Sequence, residues 1–301
     1  MLRRGLFAAL LVTLIGCGGG DATIDCEVAV ATECESPDDG GVQSPIVVDV
    51  AWLEEHLDDP DVQLVDTRSV GYETGRIPGA IRLRPEDLST TIDGISSQIR
   101  PAAEAQPVLR AAGLRQDVTA VVYGVPLEYD SSRVVWSLRF YRHHDVRYLD
   151  GGYGAWVDAG GEIETITPSV APTEYNVAGI DEDVRVSGDW ILARIGDAPY
   201  DMPAIGLVDA RSRGEYERGH IPNARSIDWT RNLRGGLLLP RAELEALYEG
   251  LDPQTTTVTY CVTGWRGSFA WLTLTALGYE DVRLYDGSWA EWGRGEFPVE
   301  Q

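Results

Sequence analysis

Positive charge is scarce in this 301-residue chain: 25 basic side chains face 48 acidic ones, for a formal charge of −23 and an isoelectric point near 4.4. A summed field of that sign repels polyanions, which excludes nucleic acid and anionic membrane surfaces as partners. Long apolar runs are missing too, and the stretch Leu6–Ile15 falls well short of the roughly 20 residues that a bilayer-spanning helix needs. Histidine offers no metal pattern. His143 and His144 are adjacent, so on a helix they point about 100 degrees apart, and no cysteine or third histidine lies nearby in sequence. They read as a solvated helix end, and no metal is implied. Core material, by contrast, is ample: 44% hydrophobic residues, with nine Trp and thirteen Tyr, exclude general disorder. The length suits two domains, each able to bury its own core.

The first residues read as an export signal, with Arg3 and Arg4 as the positive region, Leu6–Ile15 as the apolar one and Leu14-Ile15-Gly16-Cys17 as the processing site. That last stretch resembles a bacterial lipobox. The resemblance implies cleavage after residue 16, lipidation of Cys17 and attachment through acyl chains as a periplasmic or cell-surface lipoprotein. Loss of residues 1–16 removes two Arg and leaves a charge of −25. Of the other cysteines, Cys26 and Cys34 are spaced to close a short loop in an oxidising compartment, a pairing left open here, and Cys261 stands apart.

The chain repeats itself. Leu64-Val65-Asp66-Thr67-Arg68-Ser69, followed by Gly75-Arg76-Ile77-Pro78-Gly79-Ala80, recurs as Leu207-Val208-Asp209-Ala210-Arg211-Ser212 and Gly219-His220-Ile221-Pro222-Asn223-Ala224. Val121-Val122-Tyr123, Trp136, Val146–Gly151 and Trp156 return in the same order as Val258-Thr259-Tyr260, Trp271, Val282–Gly287 and Trp292. These repeats divide the chain into a signal over 1–16, a tether over 17–45, a first domain over 46–165, a linker over 166–179 and a second domain over 180–301. Short apolar runs such as Gln63–Val65 and Val118–Val122 predict buried strands. Trp52-Leu53, His56-Leu57 and Leu109–Leu114 carry helical spacing. Strands alternating with helices predict an α/β fold in each domain, a mainly parallel sheet with helices on both faces and ligand loops at the carboxyl ends of its strands.

Tyr260 ends such a strand, and Cys261-Val262-Thr263-Gly264-Trp265-Arg266 forms the loop before the helical pattern of Phe269, Leu272, Thr273 and Ala276. A cysteine there faces the amino end of a helix, where free N–H groups and the dipole favour negative charge. Arg266 supplies a cation, Gly264 allows the turn, and Gly267 lets the first helical turn approach closely. The bland alternative is a cysteine buried as a small hydrophobe. Its place between strand and helix, with Arg266 five positions on, favours catalysis.

The Asp-x-Arg segments, Gly-His-Ile-Pro-Asn-Ala and the cysteine loop together resemble the rhodanese family over both domains. The resemblance implies a thiosulfate sulfurtransferase: Cys261 takes the outer sulfur of thiosulfate as a persulfide and passes it to cyanide or a thiol, with no cofactor. Val262, Thr263, Gly264 and Trp265 would cradle the sulfur, and Arg266 would bind the donor's sulfonate. Four residues separate Cys261 from Arg266, one fewer than in tyrosine-phosphatase-like loops. Trp265 and Arg266 depart from the small uncharged Cys-Gly-Ser-Gly-Val-Thr loop of mercaptopyruvate enzymes. Glu215 stands where two-domain thiosulfate enzymes often carry an arginine, which removes one expected donor contact. The first domain has Gly124 in place of the cysteine and is expected to be structural. Asp66, Arg68, Asp209 and Arg211 read as ion pairs supporting loops, His220 as a turn residue, and Trp156 and Trp292 as core anchors. Other readings remain: a mercaptopyruvate or protein-persulfide sulfurtransferase, or a non-catalytic lipoprotein using the scaffold to bind a partner.

Overall fold

The computed structural model describes residues 44–195, 205–294 and 297–301. Cys17, Cys26, Cys34 and the lipobox-like stretch lie outside them. Within the first repeat the chain forms β1 (Val47–Val48), α1 (Val50–His56), β2 (Val62–Asp66), β3 (Ile81–Arg82), a hairpin of β4 (Ser89–Ile92) and β5 (Ile95–Ile99), α2 (Ala102–Ala111), β6 (Thr119–Tyr123), α3 (Asp130–Phe140), β7 (Asp145–Leu149) and α4 (Gly152–Asp158). The second repeat follows the same plan with β8 (Arg185–Val186), α5 (Gly188–Leu192), β9 (Gly206–Asp209), α6 (Arg213–Tyr216), β10 (Arg225–Ser226), the hairpin β11 (Leu233–Arg234) and β12 (Leu237–Leu238), α7 (Arg241–Leu247), β13 (Thr257–Tyr260), α8 (Trp265–Leu277), β14 (Val282–Tyr285) and α9 (Ser288–Trp292).

Each repeat builds one five-stranded parallel sheet, ordered β1-β7-β6-β2-β3 in the first and β8-β14-β13-β9-β10 in the second. The middle strands, β6 and β13, are covered on both faces. They read as unbroken apolar or β-branched runs for that reason. Equivalent residues do equivalent work. The Tyr123 hydroxyl accepts the Ile77 N–H at 3.2 Å, and that of Tyr260 accepts the Ile221 N–H at 3.1 Å. Trp156 and Trp292 are buried and donate their indole N–H to the carbonyls of Glu162 and Pro298.

The two sheets are joined by α3 and α8, which pack on each other and place Val134, Val135 and Leu138 in one apolar cluster with Phe269, Ala270 and Leu272. At their crossing the Ser132 and Ser268 hydroxyls meet at 3.1 Å. Each hairpin reaches across to the other repeat: the Ile99 N–H donates to Asp286 at 2.7 Å, and the Leu238 N–H to Asp150 at 2.9 Å. The stretch after residue 165 has no regular structure but is strapped to the first repeat by Thr173 on Leu114 and Arg110 on Tyr175.

Two expectations need correction. The helical spacing over Leu109–Leu114 belongs to a helix that begins at Ala102 and stops at Ala111, because Gly113 turns to φ +76°. His143 and His144 are not a solvated helix end, since α3 stops at Phe140. His143 is buried between the Tyr175 hydroxyl and the Val118 carbonyl, each 3.0 Å away, and only His144 is exposed. Burial lowers the His143 pKa to about 4, so its ring is a neutral bridge.

Candidate active site

Cys261 sits at the carboxyl end of β13, the middle strand of the second sheet, and is 1% exposed. Its backbone N–H donates to the Ser288 hydroxyl at 3.1 Å, and that hydroxyl donates to the Tyr285 carbonyl at 2.7 Å. The Cys261 and Val262 carbonyls accept the N–H groups of Trp289 and Ala290 at 3.0 and 2.9 Å. With the carbonyls turned to α9, the N–H groups of Val262, Thr263, Gly264, Trp265 and Arg266 have no acceptor among the described residues. Successive free amides at the start of a thirteen-residue helix form a cradle for negative charge.

Two glycines make this loop possible. Gly264 precedes α8 with φ +84°, and a Cβ there would stand 3.0 Å from an Asp286 carboxylate oxygen and 3.1 Å from Nη1 of Arg133. Gly267 lets α8 approach the strand, since its Cβ would lie 3.1 Å from the Tyr260 backbone. Beneath the loop, Asp286 pairs with the fully buried Arg133 of the first repeat at 2.7 Å. The hydrogen-bond angle of that contact is poor, which leaves Nη1 and the facing oxygen held mainly by charge.

The Arg266 guanidinium is gripped on both terminal nitrogens by Glu215, at 2.8 Å each. Glu215 is fixed in turn, because one carboxylate oxygen accepts the Ser212 N–H and hydroxyl at 3.0 and 2.7 Å in the capping box of α6. The Arg266 contact holds the Glu215 pKa down at about 2, aided by Ser212, so the carboxylate is ionised at any physiological pH. Asp209 and Arg211 form a second buried pair at 2.6 Å, with Arg211 also donating to the Gly219 carbonyl at 2.7 Å. Asp66 and Arg68 repeat it in the first sheet. His220 stacks on Tyr216, with its Nδ1 3.1 Å from the Tyr216 carbonyl.

Tyr129, from the first repeat, stands edge-on to Trp229 at 5.1 Å, and its hydroxyl lies within electrostatic reach of Arg266 and Cys261. In the loop matching Cys261, Gly124 has no side chain, and the Glu128 carboxyl fills the space where one would stand. Burial, and then the neighbouring Asp130, push the Glu128 carboxyl upward. The cysteine-free loop thus holds a carboxyl of its own. Sequence reasoning did not find Tyr129, Trp229, Arg133 or Ser288. Only the recurrence of Asp150-Gly151 as Asp286-Gly287 could have pointed toward the last of them.

Comparison with known proteins identifies the family. The rhodanese-like domain model matches residues 49–159 and 187–294. A sulfur carrier protein, TtuD, of Thermus thermophilus is 33% identical over 84% of this chain and 95% of its own. A thiosulfate sulfurtransferase of Corynebacterium glutamicum is 31% identical over 82% of this chain and 87% of its own. Among solved structures, the 3-mercaptopyruvate sulfotransferase SseA of Escherichia coli superposes with a TM-score of 0.72 at 26% identity, covering 82% of this chain and 99% of that one. The chain therefore belongs to the rhodanese family of sulfurtransferases and carries two rhodanese-like domains.

Proposed function

We propose that Cys261 is the sulfur carrier and that thiosulfate serves as a donor. The Cys261 thiolate attacks the outer sulfur of thiosulfate. A new S–S bond forms, the donor's own S–S bond breaks, and its electron pair leaves on sulfite. The persulfide then gives its terminal sulfur to cyanide or a thiol and restores the thiolate, so the kinetics are ping-pong. The observation that carries this reading is the run of free amides from Val262 to Arg266 around Cys261, which suits an anionic persulfide. The Corynebacterium relative supports thiosulfate by its name, and the Thermus sulfur carrier supports relay to a protein acceptor.

The signal and Cys17 support an exported, lipid-anchored protein. Mass analysis of membrane-fraction protein from the native host checks it, with a diacylated Cys17 as the expected amino terminus. For the chemistry, purified protein and its Cys261→Ser variant are mixed with thiosulfate and cyanide, with thiocyanate and intact mass as readouts. The expected result is turnover and a one-sulfur adduct in the wild type and neither in the variant. Equal turnover in both would refute the assignment.

A further inference from the structure

Three arginines stand at or beside the cysteine loop, Arg211 through its stacking on Trp289, and each is held by a carboxylate: Arg211 by Asp209, Arg133 by Asp286 and Arg266 by Glu215. The chain contains no lysine to supply another cation. The pairs differ in access. The first two are buried, whereas the Arg266 and Glu215 side chains are 21% and 25% exposed, which is the geometry of a pair at the lip of a site. Tyr129, which packs edge-on to Trp229, lies within electrostatic reach of Arg266. A dianionic donor thus meets a guanidinium whose charge is already balanced.

We propose that Glu215 sets donor choice: by occupying the Arg266 edge that a sulfonate would use, it favours sulfane-sulfur donors with an organic body and a single negative charge over dianionic thiosulfate. This rests on the persulfide reading of Cys261. Thiosulfate still serves, at a KM that Glu215 raises. A thiosulfonate or a hydropersulfide needs only the amide cradle for its reacting sulfur, and the half-buried Trp265 and Tyr129 offer apolar surface for its organic part. With benzenethiosulfonate, the thiolate forms the same persulfide and the electron pair leaves on benzenesulfinate. With cysteine hydropersulfide it leaves on the cysteine thiolate. Neither route needs an oxidant or reductant. The Glu215 carboxylate stays ionised at working pH, so the competition is permanent.

The test compares KM and kcat for thiosulfate, benzenethiosulfonate and cysteine hydropersulfide in the wild type and Glu215→Gln. Glutamine keeps the size of the side chain and can still close the capping box with Ser212, so the loop is retained. The wild type should show a higher kcat/KM with the two monoanionic donors than with thiosulfate. In Glu215→Gln the thiosulfate KM should fall about fivefold, the worth of a partly exposed charge pair, with kcat unchanged and the other KM values nearly constant. A thiosulfate KM that stays put or rises, or all three falling together, would overturn the proposal. So would loss of the persulfide adduct from benzenethiosulfonate in Glu215→Gln alone, which would make Glu215 a strut of the loop. Loss of the adduct in the wild type with every donor would instead sink the persulfide reading itself.

Discussion

Gly264 concentrates the demands on the cysteine loop in one residue. Its φ of +84° and the 3.0 Å space beside Asp286 leave no room for a side chain. Gly264→Ala meets both left-handed strain, about 1–2 kcal/mol, and a crowded carboxylate. Relief requires the loop to shift, which moves its free amides. The expected outcome is a kcat/KM loss of on the order of a hundredfold with a fall in melting stability of only about 1–3 kcal/mol. Steady-state kinetics beside a denaturant titration check it. A variant that is unstable yet fully active when folded would show that the turn matters to folding alone. Glu215 and Arg266 act at the same scale, one residue setting how much charge its neighbour shows a donor.

At the scale of elements, the strand–loop–helix unit β13–α8 is supported by parts of the other repeat. The Ile99 N–H at the end of β5 binds Asp286, and Arg133 on α3 lies under Gly264 and pairs with the same carboxylate. The first repeat carries no cysteine, yet it supplies the cation beneath the Cys261 loop. Removing one partner of a buried pair strands the other charge. Arg133→Met is therefore expected to cost about 3–5 kcal/mol, and Arg133→Met with Asp286→Asn should recover much of it. Urea unfolding of the two single variants and the double variant gives the coupling. Additive losses would show that the pair contributes little.

The whole molecule is a near-symmetric pair whose charges are not symmetric. Asp286 has Arg133 as a partner, whereas the matching Asp150 accepts the Leu238 N–H and forms no ion pair among the described residues. Burial raises the Asp150 pKa to about 6 from an ordinary 3.8. The folded state then holds a proton that the unfolded chain releases earlier, so this group's contribution to stability declines as pH rises from 3.8 through about 6. Asp150→Asn should remove that decline. Relative to the wild type, the variant is expected to gain about 2 kcal/mol between roughly pH 4 and pH 7, read from urea unfolding at each pH. A constant difference across that window would mean that Asp150 titrates normally.

The repeat, the alternation of strands with helices and the position of Cys261 after Tyr260 were legible because they depend on local periodicity and spacing, which the linear order carries directly. The sequence also located Gly264, Arg266 and Glu215 in or near the site, since strand ends and helix starts bring such residues to one edge of a parallel sheet. It did not show that Glu215 grips Arg266 across 51 positions, that Ser288 anchors the cysteine amide across 27, or that Arg133 and Tyr129 arrive from the other repeat. It also missed the burial of His143, whose contacts lie in Tyr175 and Val118. Pairings over such separations are fixed by how the sheets and hairpins pack. The sequence by itself determined the fold and the place of Cys261 between strand and helix, and the tertiary structure alone decided which charges remain for a substrate, because net charge at a site depends on who pairs with whom.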